Sequence, residues 1–351
     1  MIIKKGKITK VHLKTIYSKK ELFSFAFLLA LICVSVRYCD LHDYKSYFTS
    51  YSTSYKMNIE IGYTILEKLF SQMSFPFYIF YGTIISISLF LLWRFFRNNS
   101  NNALLMCIVF TIYPYLNVVQ QIRSFFAITV VLTGLKFLTS KNVKPIYFVV
   151  GVIVASLFHY TSVIYLVFIF ILFVNYNAIK RTTIILFCLY GPLIFAIRGI
   201  LPLLLSYNSY FSRKYIKYIY TGSVLSKTAL VDYALFFLIV IGVTLASRTE
   251  FDTYSIKTQR LLKAAYIVFA MSLLRGIGNN SYRIALMAYP IVYVALDRAI
   301  AESNKKLSKN IYRTILILFP MVSVVLWWGP FNPDMFEIVK TEMWQVWNYY
   351  Y

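Results

Sequence analysis

Apolar residues recur in long runs from Leu22 to Trp328, separated by short polar stretches. A helix that spans a bilayer needs ~20 mostly apolar residues, and the chain supplies such runs repeatedly. The pattern predicts an all-α polytopic membrane protein with one membrane domain over 21–328. A basic N-terminus at 1–20 precedes it, polar outer segments interrupt it near 37–74 and 198–227, and an aromatic outer tail at 329–351 follows.

The order of basic residues and apolar runs predicts the path. Seven lysines and no acid lie between Met1 and Lys20, ahead of the apolar run Leu22 to Val36. Val34, Val36 and Arg37 do not form a small-residue cleavage site, so this run is expected to be a signal anchor with its N-terminus cytoplasmic. Phe75 to Trp93 then returns to Arg94 and Arg97. Three later blocks, Ala103 to Thr139, Pro145 to Val174 and Ala264 to Leu296, are each too long for one span and carry basic residues at both ends. As a single helix the middle block would run ~45 Å and strand Lys180 and Arg181 outside. Each block is therefore expected to be a hairpin, with tips near Asn117 to Arg123, His159 to Ser162 and Arg275 to Arg283. Thr182 to Ile197, Thr228 to Ala246 and Ile311 to Trp328 complete a total of about eleven spans, several of them short.

Composition agrees with this picture. The 351 residues are 59% hydrophobic and 19% aromatic, with a mean hydropathy of +0.65. The net charge of +23 forms no basic face with interleaved aromatics, so nucleic acid is not an expected partner. Cys33, Cys39, Cys107 and Cys188 make no CxxC pair and no cysteine–histidine cluster at metal-ligand spacing, and neither metal nor cofactor is expected. In the eleven-span layout about 16 of the 23 lysines are cytoplasmic, as the positive-inside rule asks, whereas the 13 arginines divide about evenly. Lysine sets orientation. Arginines kept on the outer side work against that rule, and a carboxylate or an anionic ligand is expected to compensate them.

The outer tips carry the candidate chemistry. In the first outer segment Arg37, Asp43, Tyr44 and Glu60 recur among tyrosines, and a helix there would put Asp43 and Tyr47 on one face. Asn117, Gln120, Gln121 and Ser124 would lie within about 100° of one helix face, with Arg123 at its edge. His159 divides two apolar half-blocks, Arg275 and Arg283 flank a Gly/Asn turn, and Arg213 sits in the tyrosine-rich stretch Tyr207 to Tyr220. Taken singly, each has an ordinary explanation: a solvated loop, interhelical hydrogen bonds, a packed histidine, headgroup snorkelling or an interfacial tyrosine belt. No one of these accounts for arginine, histidine and carboxylate recurring at separate hairpin tips.

These residues carry a resemblance. Arg37 followed by Asp43-Tyr44 and Tyr47, then Glu60-x-Gly62-Tyr63, Asn117 to Arg123 with Ala127, and Phe158-His159-x-x-Ser162 resemble the EpsG/Wzy family of polysaccharide polymerases, with Arg283 and Tyr289-Pro290 a looser match. The layout is similar over most of the chain and the specific motifs run from Arg37 to Ser162. Where the family often has glutamine directly after the motif arginine, this chain has Ser124.

The resemblance implies a GT-C-like membrane glycosyltransferase in the bacterial cytoplasmic membrane, polymerising undecaprenyl-pyrophosphate-linked repeat units at the outer face. Membrane lipid and a chain-length regulator protein are the further partners. On that basis Arg123, Arg275 and Arg283 would hold the pyrophosphate, and the base would be Asp43, Glu60 or His159. Arg37, Tyr44, Glu60, Asn117, Gln121 and Arg213 would position substrate. A flippase for lipid-linked sugars and an O-antigen ligase are the competing functions, the first expected to show charges near mid-bilayer and an internal repeat, the second a very large outer loop. A membrane acyltransferase would need a donor path reaching His159.

Overall fold

The computed structural model describes residues 23–31, 42–53, 60–192, 227–276 and 279–328, together with positions 196 and 200. All regular structure among them is helical. The first helix, α1 (23–31), is the described part of the predicted anchor. Two short helices follow in the first polar segment, α2 (His42–Ser52) and α3 (Ile61–Gln72), and then the long α4 (Phe77–Asn99). The block from Ala103 folds as α5 (Ala103–Ile112), a single turn α6 (Tyr115–Val119) and α7 (Ile122–Thr139). The next is α8 (Pro145–Ser156), a 3-10 helix (Tyr160–Ile169) and α9 (Phe170–Phe173). Last come α10 (Tyr176–Cys188), α11 (Lys227–Ser247), α12 (Ile256–Ser272), α13 (Asn279–Glu302) and α14 (Lys306–Trp328).

Among the described residues five helices are long and apolar enough to cross a membrane: α4, α7, α11 from Leu230, α13 from Tyr282, and α14 as far as Leu326. Three shorter apolar helices lie at Ala103–Ile112, Pro145–Ser156 and Tyr160–Phe173. The helix boundaries follow local chemistry. Asn102, Asn175 and Ser255 cap α5, α10 and α12, their side chains accepting the backbone N–H of Leu105, Ala178 and Thr258. The bundle is built around α13. Of its apolar window 78% is buried, against 33% for α14, so α13 is enclosed by protein and α14 faces outward.

α7 and α8 form an antiparallel pair, joined at 140–144 between the first block and the middle one. Gly134 of α7 faces Gly151 of α8, and a side chain at Gly151 would meet the Gly134 Cα at 3.9 Å. Phe126 packs on Phe158 with ring centroids 4.6 Å apart, so the two helices run antiparallel with their backbones close. The chain then turns at His159 and comes back. Lys263 on α12 donates to Ile171 and Val174 carbonyls, and Arg260, one turn earlier, donates to the carbonyls of Leu138 and Ser140 at the end of α7. Lys257 reaches the carbonyl of Asn98 at 2.7 Å. Three basic residues of one helix thus satisfy the orphan carbonyls ending α7, α9 and α4. The sequence pattern reads the lysines as setting orientation; in the fold all three side chains tie this end of the bundle together.

One expectation needs correction. Asn117, Gln120, Gln121 and Ser124 do not share a continuous helix face, because the helix stops at Val119 and a new one starts at Ile122. Gln121 leaves helical geometry (φ −103°, ψ 61°), and its side chain turns back to the Asn117 carbonyl at 3.0 Å. The break puts Arg123 in the first turn of α7.

Candidate active site

Arg123 is therefore a cation at the positive end of a helix dipole and largely out of water, with 21% of its side chain exposed. Such a charge needs a carboxylate. Glu60, just before α3, supplies it. Its Oε2 accepts from Arg123 Nη1, while its Oε1 stands 3.2 Å from His159 Nδ1 and 3.4 Å from the Tyr160 backbone N–H. Glu60 is itself only 8% exposed. The Tyr47 hydroxyl lies 3.2 Å from Arg123 Nε. The guanidinium also stands over the Tyr47 and Tyr63 rings, 5.3 and 5.8 Å from their centroids. The result is a chain of contacts, Tyr47 to Arg123 to Glu60 to His159, drawn from four separate segments.

Burial by itself would raise the Glu60 carboxyl, but the hydrogen bond with His159 and the Arg123 charge outweigh it, and the group is held down at about 2. Glu60 is thus an anion throughout the physiological range. Its contact at Nδ1 favours the His159 tautomer with the proton on Nδ1, which leaves Nε2 with a lone pair. Arg123 uses Nε and Nη1 in these contacts, and its Nη2 has no hydrogen-bond partner among the described residues. The Tyr63 hydroxyl beneath it is buried and likewise has no partner there.

A close backbone approach brings Glu60 to the hairpin tip. Gly62 N–H donates to the Leu157 carbonyl at 2.8 Å, and a Cβ on Gly62 would stand 2.9 Å from that oxygen and 3.1 Å from Leu157 Cβ. Both obstacles are close to the backbone and cannot swing away. Gly62→Ala should therefore push α3 off the tip and separate Glu60 from His159. The expected result is an activity loss of about 100-fold, the cost of a displacement near 1 Å, in a protein that still inserts and extracts normally. Wild-type turnover of purified Gly62→Ala protein would show that the contact is dispensable.

The second charged contact is near the first. Arg283 Nη1 on α13 lies 3.3 Å from Asp43 Oδ2 on α2, with 44% and 28% of the side chains exposed. Asp43 and Tyr47 are one helical turn apart, as the spacing predicts, so α2 reaches Arg283 with one residue and Arg123 with the other. Asn117 and Gln121 are buried beside the α6–α7 break rather than presented at a surface. Arg275 is on the 3-10 turn Leu273–Gly276 before α13. The side chains of Tyr44 and Arg275, and Arg37 and Arg213 entirely, lie outside the described residues. Tyr47 and Tyr63 are site residues that the candidate set omits. Their signal was present in the spacing of Tyr47 from Asp43 and in the Glu60-x-Gly62-Tyr63 motif.

Fold and site together define a polytopic helical membrane protein with a part-buried arginine–carboxylate–histidine site at one end of its bundle. The EpsG family model matches residues 20–340, nearly the whole chain. The chain belongs to the EpsG family, a Wzy-like family of polysaccharide polymerases. No curated protein and no solved structure matches it.

Proposed function

We propose that the protein is a glycosyltransferase of GT-C-like architecture that polymerises undecaprenyl-pyrophosphate-linked repeat units at the outer face of the bacterial cytoplasmic membrane. The observation that carries this reading is Glu60 bridging Arg123 and His159. A polymerase must take a proton from an acceptor hydroxyl and stabilise a departing pyrophosphate, and this bridge prepares one group for each task. His159, its Nδ1 proton directed at Glu60, offers Nε2 to the acceptor hydroxyl. As that oxygen bonds to the anomeric carbon, the bond from this carbon to the pyrophosphate oxygen breaks and the electron pair leaves with the pyrophosphate. Arg123 Nη2 is a donor available for the growing negative charge, and Arg283 and Arg275 are further cations at this end of the bundle.

Of the candidate bases, His159 fits better than Glu60, whose carboxylate is committed to three partners and too weakly basic at about 2. The pyrophosphate-linked glycan and membrane lipid are the partners this chemistry requires, and a chain-length regulator fits a polymerase.

Purified full-length protein given a single lipid-linked repeat unit should yield a ladder of longer products and free undecaprenyl pyrophosphate. Transfer of a finished chain to a lipid A core with no ladder would instead indicate a ligase. Movement of the substrate across vesicles without any transfer would indicate a flippase.

A further inference from the structure

The described contacts of α2 are of two kinds. At its C-terminal end Ser50 is buried and donates to Glu67 Oε1 at 3.0 Å, and the Tyr51 hydroxyl donates to the Phe75 carbonyl at 2.6 Å. Tyr51 also stacks on Phe80, and Phe48 meets Phe77 edge-on. Toward its N-terminal end, Asp43 makes the partly exposed pair with Arg283. Ion pairs in water are weak and easily exchanged, because both groups are well solvated when apart. An anion that places two or more charges against a guanidinium in paired hydrogen bonds is a stronger partner than one exposed carboxylate.

We infer that Asp43 is a displaceable stand-in for substrate: it occupies Arg283 when the site is empty, and the diphosphate of a lipid-linked glycan takes its place. This rests on the polymerase reading and changes the role of Asp43. Here Asp43 neither takes the acceptor proton nor binds sugar; it competes with the diphosphate for Arg283. Arg283 becomes the entry station for the anionic head of the substrate. Arg123, already joined to Glu60 and Tyr47, is the station at the bond that breaks. The same helix carries the residue that answers each arginine, so a diphosphate that displaces Asp43 arrives about one helical turn from the Tyr47–Arg123 contact.

The test inverts the usual sign of a charge deletion. Binding of inorganic pyrophosphate to the detergent-solubilised full chain can be measured by calorimetry without any turnover. Asp43→Asn should bind pyrophosphate about tenfold tighter at low ionic strength, with the gain shrinking as salt screens the site. It should also lower the KM for the lipid-linked substrate. Arg283→Ala should bind pyrophosphate at least tenfold more weakly, and adding Asp43→Asn to it should recover far less than the tenfold gain seen with Arg283 present, because the competition is for Arg283. Asp43→Ser supplies the same charge deletion if the asparagine variant folds poorly. Unchanged or weaker pyrophosphate binding in both Asp43 variants would overturn the inference. So would a collapse of kcat by 100-fold or more, which is the signature of a general base. If the product ladder fails to appear while Asp43→Asn still tightens pyrophosphate binding, the displacement stands and the polymerase reading is what fails.

Discussion

Glu60→Gln is expected to reduce polymerisation on the order of a thousandfold, the largest single loss in the protein. The substitution keeps the shape and removes the charge. Arg123 then stays mostly buried at a helix N-terminus without its counter-charge, and His159 loses the anion that stabilises it when it takes up a proton. Stability should fall as well, by ~3 kcal/mol or more, since one partner of a buried pair is left alone. The pH dependence of that stability difference is specific. The ordinary carboxylate value is 4.5 and the folded value is about 2, so the stabilisation is complete above 4.5 and lost as pH falls toward 2. Wild type in detergent should therefore melt above Glu60→Gln while the carboxylate is charged, and the two should converge on acidification below 4.5. A variant that keeps a tenth of wild-type activity would rule out Glu60 as the organiser of the site.

Arg123→Ala should cost ~100-fold or more in polymerisation, mainly in kcat, if its guanidinium meets the departing pyrophosphate. Arg123→Lys separates charge from geometry. Lysine keeps the positive charge near Glu60, but its compact ammonium cannot serve Tyr47, Glu60 and a phosphate oxygen from three directions in one plane. A loss of about tenfold is expected for lysine, between wild type and alanine. Near-normal chain-length distribution in Arg123→Ala would remove this residue from the chemistry and leave it as a packing element for Glu60.

Several features of the site are legible in the chain. The i and i+4 spacing of Asp43 and Tyr47 survives in α2, and His159 divides its block where length and flanking charge require a turn. The Glu60-x-Gly62-Tyr63 motif is recognisable, yet its physical meaning is not, because the reason for glycine is a carbonyl 95 residues later in the chain. The polar stripe around Arg123 misled for a related reason. Helical periodicity assumes that the helix continues, and at Gln121 it does not.

Lysines 257 and 263 and Arg260 illustrate the same division. Their place in a basic stretch beside an apolar block is read directly from the sequence, whereas the carbonyls they reach belong to α4, α7 and α9, which only the packed bundle brings beside α12. By itself the sequence determined that this chain is a helical membrane protein, where its long apolar blocks are broken, and which residue types gather at the breaks. Those follow from local hydrophobic length and from the cost of moving charge across lipid, which act on neighbouring residues. Tertiary structure decided which arginine meets which carboxylate. Arg123 could have been paired with Asp43 and Arg283 with Glu60 at no change in composition or spacing. Close packing of Gly62 on Leu157, and of α2 across the tips, selected Glu60 for Arg123 and left the weaker, exposed pairing to Asp43 and Arg283.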